Sequence, residues 1–144
     1  MKESKQSFFI DTNIFLRLLV EDEKKTFDDC FKFLELVREG KIKAFTSSIV
    51  LAEVCWTLLS YYQFSKEKTV KALRSILALK NLKITDNFDP RLAIELYEGE
   101  SVKFIDSLIA SLARSKDRKT VVVSFDKDFD KLNIKRIEPG KIVS

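Results

Sequence analysis

Asp11, Glu53, Asp106 and Asp126 are carboxylates placed where the surrounding residues otherwise read as core. Asp11 interrupts SFFIDTNIFLRLL, Ser7 to Leu19. Glu53 lies in SSIVLAEVCWTLL, where its helical neighbours are Ile49, Val50, Trp56 and Thr57. Asp106 lies in VKFIDSLIASLA between Val102, Lys103, Ile109 and Ala110, and Asp126 directly follows TVVVSF. An unpaired buried carboxylate costs several kcal/mol or more, so such groups are neutralised, hydrogen-bonded, salt-bridged or bound to a metal. With no matching set of buried arginines in the sequence, the most economical shared partner is a divalent cation.

Hard cations such as Mg²⁺ and Mn²⁺ prefer oxygen ligands, which these acids supply. One such ion lowers the pKa of a bound water, and a second, roughly 4 Å away, stabilises the leaving oxygen of a phosphodiester. Thr12, Asn13 and Ser124 adjoin the acids and are placed to orient a carboxylate, a water or a phosphate. Each acid also has an ordinary alternative. Asp11 suits a helix N-cap, although Thr12 and Asn13 serve that role as well. Glu53 could form a buried ion pair, Asp106 a salt bridge with Lys103, and Asp126 a turn.

The chain has no histidine, which removes Ser-His-Asp and Cys-His catalysis, histidine-ligated zinc and an imidazole base. Cys30 and Cys55 lack CxxC spacing and sit in apolar helical patterns, so they read as core thiols. The formal charge of +4 permits nucleic-acid binding without demanding it. Arg17, Arg114 and Lys116 are the cations best placed for phosphates, whereas KEKTVKALR reads as a solvated helix face.

The elements that must position these groups alternate between strand and helix. Phe8 to Ile10 reads as a strand ending at Asp11, with a helix after it. A helix over Lys25 to Arg38 has an apolar stripe of Phe27, Cys30, Phe31, Leu34 and Val37, and Gly40 stops it. IKAF is a short strand, and Thr46 to Ser48 cap a helix through IVLAEVCWTLLSYY. That helix is apolar almost all round and should be buried on most sides, with Trp56 and Tyr62 in core or interface.

Ser65 caps a helix over Lys66 to Leu79 with Val70, Leu73, Ile76 and Leu77 inward. LKIT is a strand, and Asp89 with Pro90 opens a short helix stopping near Gly99. The Asp106 helix follows, then the strand Thr120 to Ser124, then IKRI as a last strand before Pro139. The alternation predicts an α/β/α sandwich with a mostly parallel central sheet, and the length suits one domain over 1–144. No apolar run approaches a membrane span, so a soluble, cytoplasmic protein is expected.

FFIDTNIFLRLL, TSSIVLAEVCWTLL, SVKFIDSLIASLA and VVVSFDKDF together resemble the PIN-domain family, especially VapC-like ribonuclease toxins, over roughly the whole chain. The family acids match Asp11, Glu53 and Asp106, and the fourth motif, SFDKDF, matches Ser124, Asp126 and Asp128, with Asp126 as the metal-site acid and Asp128 as an accessory. The resemblance implies a Mg²⁺- or Mn²⁺-dependent endoribonuclease acting on single-stranded or loop RNA, commonly homodimeric and inhibited by a small antitoxin. The competing readings are a non-catalytic module on the same fold and a phosphatase using Asp11 as nucleophile. The first would be expected to lack the acids, and the second usually places an aspartate where Asn13 stands.

Overall fold

The structure, a computed structural model, describes residues 6–114 and 119–143. Its first half runs β1 (Ser7–Ile10), α1 (Thr12–Val20), α2 (Lys24–Arg38), β2 (Lys43–Thr46), α3 (Ser48–Ser60), α4 (Lys66–Leu77) and β3 (Leu82–Ile84). It continues with α5 (Pro90–Gly99), α6 (Phe104–Ala113), β4 (Thr120–Val123), a 3-10 helix (Lys127–Leu132), β5 (Arg136–Ile137) and α7 (Pro139–Val143). Short polar side chains start α3, α4 and α5 as their chemistry dictates. Ser47 accepts from the Val50 N–H, Ser65 from the Lys68 N–H and Asp89 from the Leu92 N–H, with Pro90 in the first turn of α5. Gly40 ends α2 at φ +74°, a conformation open to a residue without Cβ.

The strands form one five-stranded sheet in the order β3-β2-β1-β4-β5, every pair parallel. This is the expected α/β/α arrangement. Right-handed crossovers then divide the helices between faces. The chain marches one way from β1 to β3 and the other way from β4 to β5, so α1 to α4 lie on one face and α5 and α6 on the other. Packing follows that division. Phe8 meets Phe33 of α2 edge to face on the first side, while Phe9 meets Phe45 on the second. The core between the layers includes Phe9, Ile10, Ile14, Phe33, Val54, Leu58, Ile109 and Val122.

Several inward faces differ from the periodicity. The helix α3 buries only the single stripe Val50, Val54 and Leu58, and Trp56 is 69% exposed. Only one side of α3 reaches the sheet and its neighbours α1 and α4 cover its flanks, so Leu59 and Tyr61 also face outward. In α4 the buried line is Thr69, Ala72 and Ile76, and Val70 and Leu77 are exposed. Thr69 can turn inward because its hydroxyl donates to the Ser65 carbonyl at 2.9 Å. In α2 Phe33 takes the core place, whereas Phe31 is exposed and stacks on Phe27. Cys30 is a core thiol pushed up to about 12 by burial and then by Asp29. Cys55 is only half-buried. The 3-10 helix and α7 have no counterpart in the sequence reading. No helix among the described residues is long and apolar enough to cross a membrane.

Phe129 is fully buried on the 3-10 helix. Phe129→Ala is expected to cost about 3–5 kcal/mol and Trp56→Ala less than about 0.5 kcal/mol, measured by urea unfolding. Equal losses would contradict this assignment of core and surface.

Candidate metal centre

In a sheet of this order the chain reverses direction between β1 and β4, and the crevice beyond the carboxyl ends of those strands is where such folds build sites. Asp11 follows β1 there, and Ser124 and Asp126 follow β4. Asp11 stands at the N-cap position of α1 but makes no side-chain cap bond. Its carboxylate turns instead to the neighbouring strand, where the Ser124 hydroxyl donates to Asp11 Oδ2 at 2.6 Å.

Ser124 is fully buried and uses its whole hydrogen-bonding capacity. Its oxygen also accepts from Asn13 Nδ2 at 3.2 Å and from the Asp126 N–H at 3.0 Å. Asn13 donates further to Asp11 Oδ2 at 3.4 Å and accepts from the Phe125 N–H at 3.3 Å. The DTN triplet thus has a physical meaning: the acid and the amide two residues later both reach across to the end of β4. Thr12, between them, points the other way and donates to Glu53 Oε1 at 2.5 Å, holding the α3 carboxylate against the start of α1.

Asp106, Asp126 and Asp128 form a tighter group, and Asp11 and Glu53 lie outside it but near enough for their charges to be felt. Asp106, in the first turn of α6, has carboxylate oxygen Oδ2 buried with no hydrogen-bond partner among the described residues. One oxygen each from Asp106, Asp126 and Asp128 lie within 4.8 Å of one another. Asp126 caps the 3-10 helix by accepting from the Asp128 N–H at 2.9 Å, which folds Asp128 back toward Asp106. Asp126 is therefore both the turn residue and a member of the acidic cluster, and Asp128 is a full member beside it.

Burial raises the Asp11 carboxyl to about 6, against the Ser124 hydroxyl and the Thr12 N–H, with Glu53 and Asp126 pushing it further up. Burial likewise lifts Asp106 to about 7, reinforced by Asp126, Asp11 and Glu53 and opposed by Lys103. The acids feel one another as like charges. A buried orphan oxygen among converging carboxylates, with no imidazole or thiolate beside them, fits a hard divalent cation by both charge and donor type.

Arg136 contributes in a way the pattern IKRI does not announce. Its guanidinium donates to the Ser124 carbonyl at 3.0 Å, to Asp130 at 3.0 and 3.2 Å and to Glu138 at 3.1 Å. One planar cation thus ties the end of β4 to the 3-10 helix that carries Asp128. Of the cations expected to hold phosphate, the structure describes Arg17 and Arg114. Arg17 pairs with Asp22 at 3.3 Å. Arg114 caps the far end of α6, about 12 Å from Asp106 at the usual helical rise. Lys116 lies outside the described residues. Lys103, immediately before α6, is the cation whose charge reaches Asp106.

These shifts fix a pH dependence. The folded protein holds protons on Asp11 and Asp106 that the unfolded chain has already released, so stability falls as pH rises from the ordinary carboxylate range through about 7 and then levels. The melting temperature in EDTA should decline from about pH 5 to about pH 8, Asp106→Asn should flatten the decline, and Mn²⁺ at the upper pH should restore the loss. A wild-type melting temperature that rises over that interval would contradict the electrostatics.

A family model described as PIN domain matches residues 8–135. Among solved structures, the chain is similar to VapBC2 from Rickettsia felis bound to a DNA fragment from their promoter, with TM-score 0.68 and 23% identity over 92% of this chain and 98% of that one. It is also similar to DNA-bound VapBC from Salmonella typhimurium, with TM-score 0.69 and 17% identity over 93% and 98%. A third is VapC20 of Mycobacterium tuberculosis, a Sarcin-Ricin loop cleaving toxin, with TM-score 0.61 and 20% identity over 92% and 99%. These identities show likeness of fold. No curated protein matches the chain by sequence. The family model spans nearly every element from β1 to the approach to β5, and the chain belongs to the PIN domain family.

Proposed function

We propose that this chain is a divalent-metal-dependent endoribonuclease that cuts single-stranded or loop RNA and acts as the toxin of a toxin–antitoxin pair. The observation that carries the reading is the orphan Oδ2 of Asp106 beside Asp126 and Asp128, at the switch point of a parallel sheet. Membership of the PIN family supports it, as does likeness of fold to VapBC complexes and to a toxin that cleaves the Sarcin-Ricin loop.

Asp106, Asp126 and Asp128 would hold a Mg²⁺ or Mn²⁺ ion, with Asp11 and Glu53 adding charge or ligands. When bound, such ions activate water and stabilise charge on a phosphodiester in displacement. The protein's own part is orientation. Ser124 and Asn13 fix the Asp11 carboxylate, Thr12 fixes that of Glu53, and Arg136 holds the segment carrying Asp126 and Asp128. Asp11 is 5% exposed and its Oδ2 is already held by donors, which suits a ligand better than a phosphatase nucleophile. The exposed side chains Phe31, Trp56 and Leu77 offer apolar surface for a small antitoxin and for a second copy of the chain in a homodimer. A cytoplasmic location goes with an RNA substrate.

The test is cleavage of a mixed set of RNAs and DNAs by antitoxin-free protein with Mn²⁺, with Mg²⁺ and with EDTA. RNA is expected to be cut with metal and spared in EDTA, and Asp11→Asn is expected to be inactive. Thr12→Val, which leaves every acid in place, should lower activity about 10- to 100-fold. Folded protein that cuts nothing with either metal would overturn the nuclease reading in favour of a binding module.

A further inference from the structure

The crossovers that place α1 to α4 on one face leave only α5 and α6 to cover the other, and α6 packs on β4. The second face of β2 and β3 is therefore partly bare. A cavity of about 750 Å³ opens there, floored by the sheet and walled by α5 and α6. Strand register explains its lining. Lys43 and Phe45 project to the face that carries Phe9, and Lys83 pairs in register with Phe45 on that face. Lys43 and Lys83 are then diagonal neighbours, about 7–8 Å apart at their Cα atoms. Arg114 at the end of α6 and Phe88 before α5 complete the wall.

Lys43, Lys83 and Arg114 make no side-chain ion pair or hydrogen bond among the described residues, although seven other basic residues, Arg17, Lys24, Lys25, Arg38, Lys41, Lys131 and Arg136, pair with acids elsewhere. Asp89 also lines the cavity, but its carboxylate is engaged with the Leu92 N–H as the cap of α5. With three cations to one carboxylate, the cavity thus combines an excess of positive charge with half-buried aromatic rings, in the size range of small-molecule sites. We infer that this groove binds a free nucleotide, its phosphate held by Lys43, Lys83 and Arg114 and its base laid against Phe45 and Phe88. Lys43 and Lys83 are neighbours on the floor of the groove and Arg114 lies on its wall, three cations around one space of limited volume, which suits one phosphate group better than the spaced charges of a polymer backbone. This site goes beyond the nuclease reading and shares none of the acids of the metal centre.

The experiment is calorimetric titration of the full chain, in EDTA, with AMP, UMP, adenosine, inorganic phosphate and a short RNA oligonucleotide. EDTA removes metal-mediated binding at the acids. The nucleotides are expected to bind, with adenosine and phosphate each at least about tenfold weaker. Lys43→Glu/Lys83→Glu should weaken nucleotide binding at least about tenfold, and Asp11→Asn should leave it unchanged. Lys43→Gln/Lys83→Gln provides the same comparison with less perturbation, and circular dichroism establishes that each variant is folded. Absence of nucleotide binding at millimolar concentration would overturn the inference. So would binding that persists in both folded lysine variants, binding of phosphate as tight as that of AMP, or tighter binding of the oligonucleotide than of either nucleotide.

Discussion

Repulsion among carboxylates gathered at the carboxyl ends of β1 and β4 is the constraint on which the rest of the structure turns. Left in water, these acids would ionise and separate. Here Asp106 keeps an oxygen without a partner, and its carboxyl and that of Asp11 are both pushed upward by burial and by neighbouring acids. An arrangement that unfavourable persists only because other groups hold it in place. The Ser124 hydroxyl links Asp11 to the start of the Asp126 segment, and the Arg136 guanidinium holds the Ser124 carbonyl from behind. Removing the orienting groups would leave the charges in place and the geometry lost, which is why neutral residues matter here as much as acids.

The same topology sets both the metal centre and the groove. A parallel sheet that reverses its direction of growth between β1 and β4 opens a crevice at one end and distributes its helices unequally over its faces. The crowded face supplies α1 and α3, which carry Asn13, Thr12 and Glu53. The sparsely covered face supplies α6 with Asp106 at one end and Arg114 at the other. One helix therefore borders the acidic centre with its first turn and the basic groove with its last, so charges of opposite sign are kept apart by its length.

Much of this was legible in the sequence because the relevant chemistry is local or anomalous. Ser47, Ser65 and Asp89 start helices through bonds to N–H groups three residues on, so their signal lies within a few residues. Asp11, Glu53 and Asp106 stood out because a carboxylate in an apolar run demands a partner. Long-range pairings left no such mark. Arg136 belongs to the site through the Ser124 carbonyl and Asp130, and nothing in IKRI points to either. Asp128 joins Asp106 because a 3-10 turn folds it back, where alternation after a strand would have sent it aside. Periodicity also could not choose which apolar face of α3 or α4 meets the sheet, since both helices carry more apolar residues than their packed stripes use.

The most direct measurement is calorimetric titration of Mn²⁺ into metal-free protein in buffers of different ionisation enthalpy. The account predicts binding that releases protons near about pH 6.5 and fewer near about pH 8.5, because ions displace the protons held by Asp11 and Asp106. It also predicts that Asp106→Asn loses this binding while remaining folded. Folded wild-type protein that binds no Mn²⁺, or an Asp106→Asn variant that binds it as tightly with the same proton release, would contradict the claim that these acids share a cation.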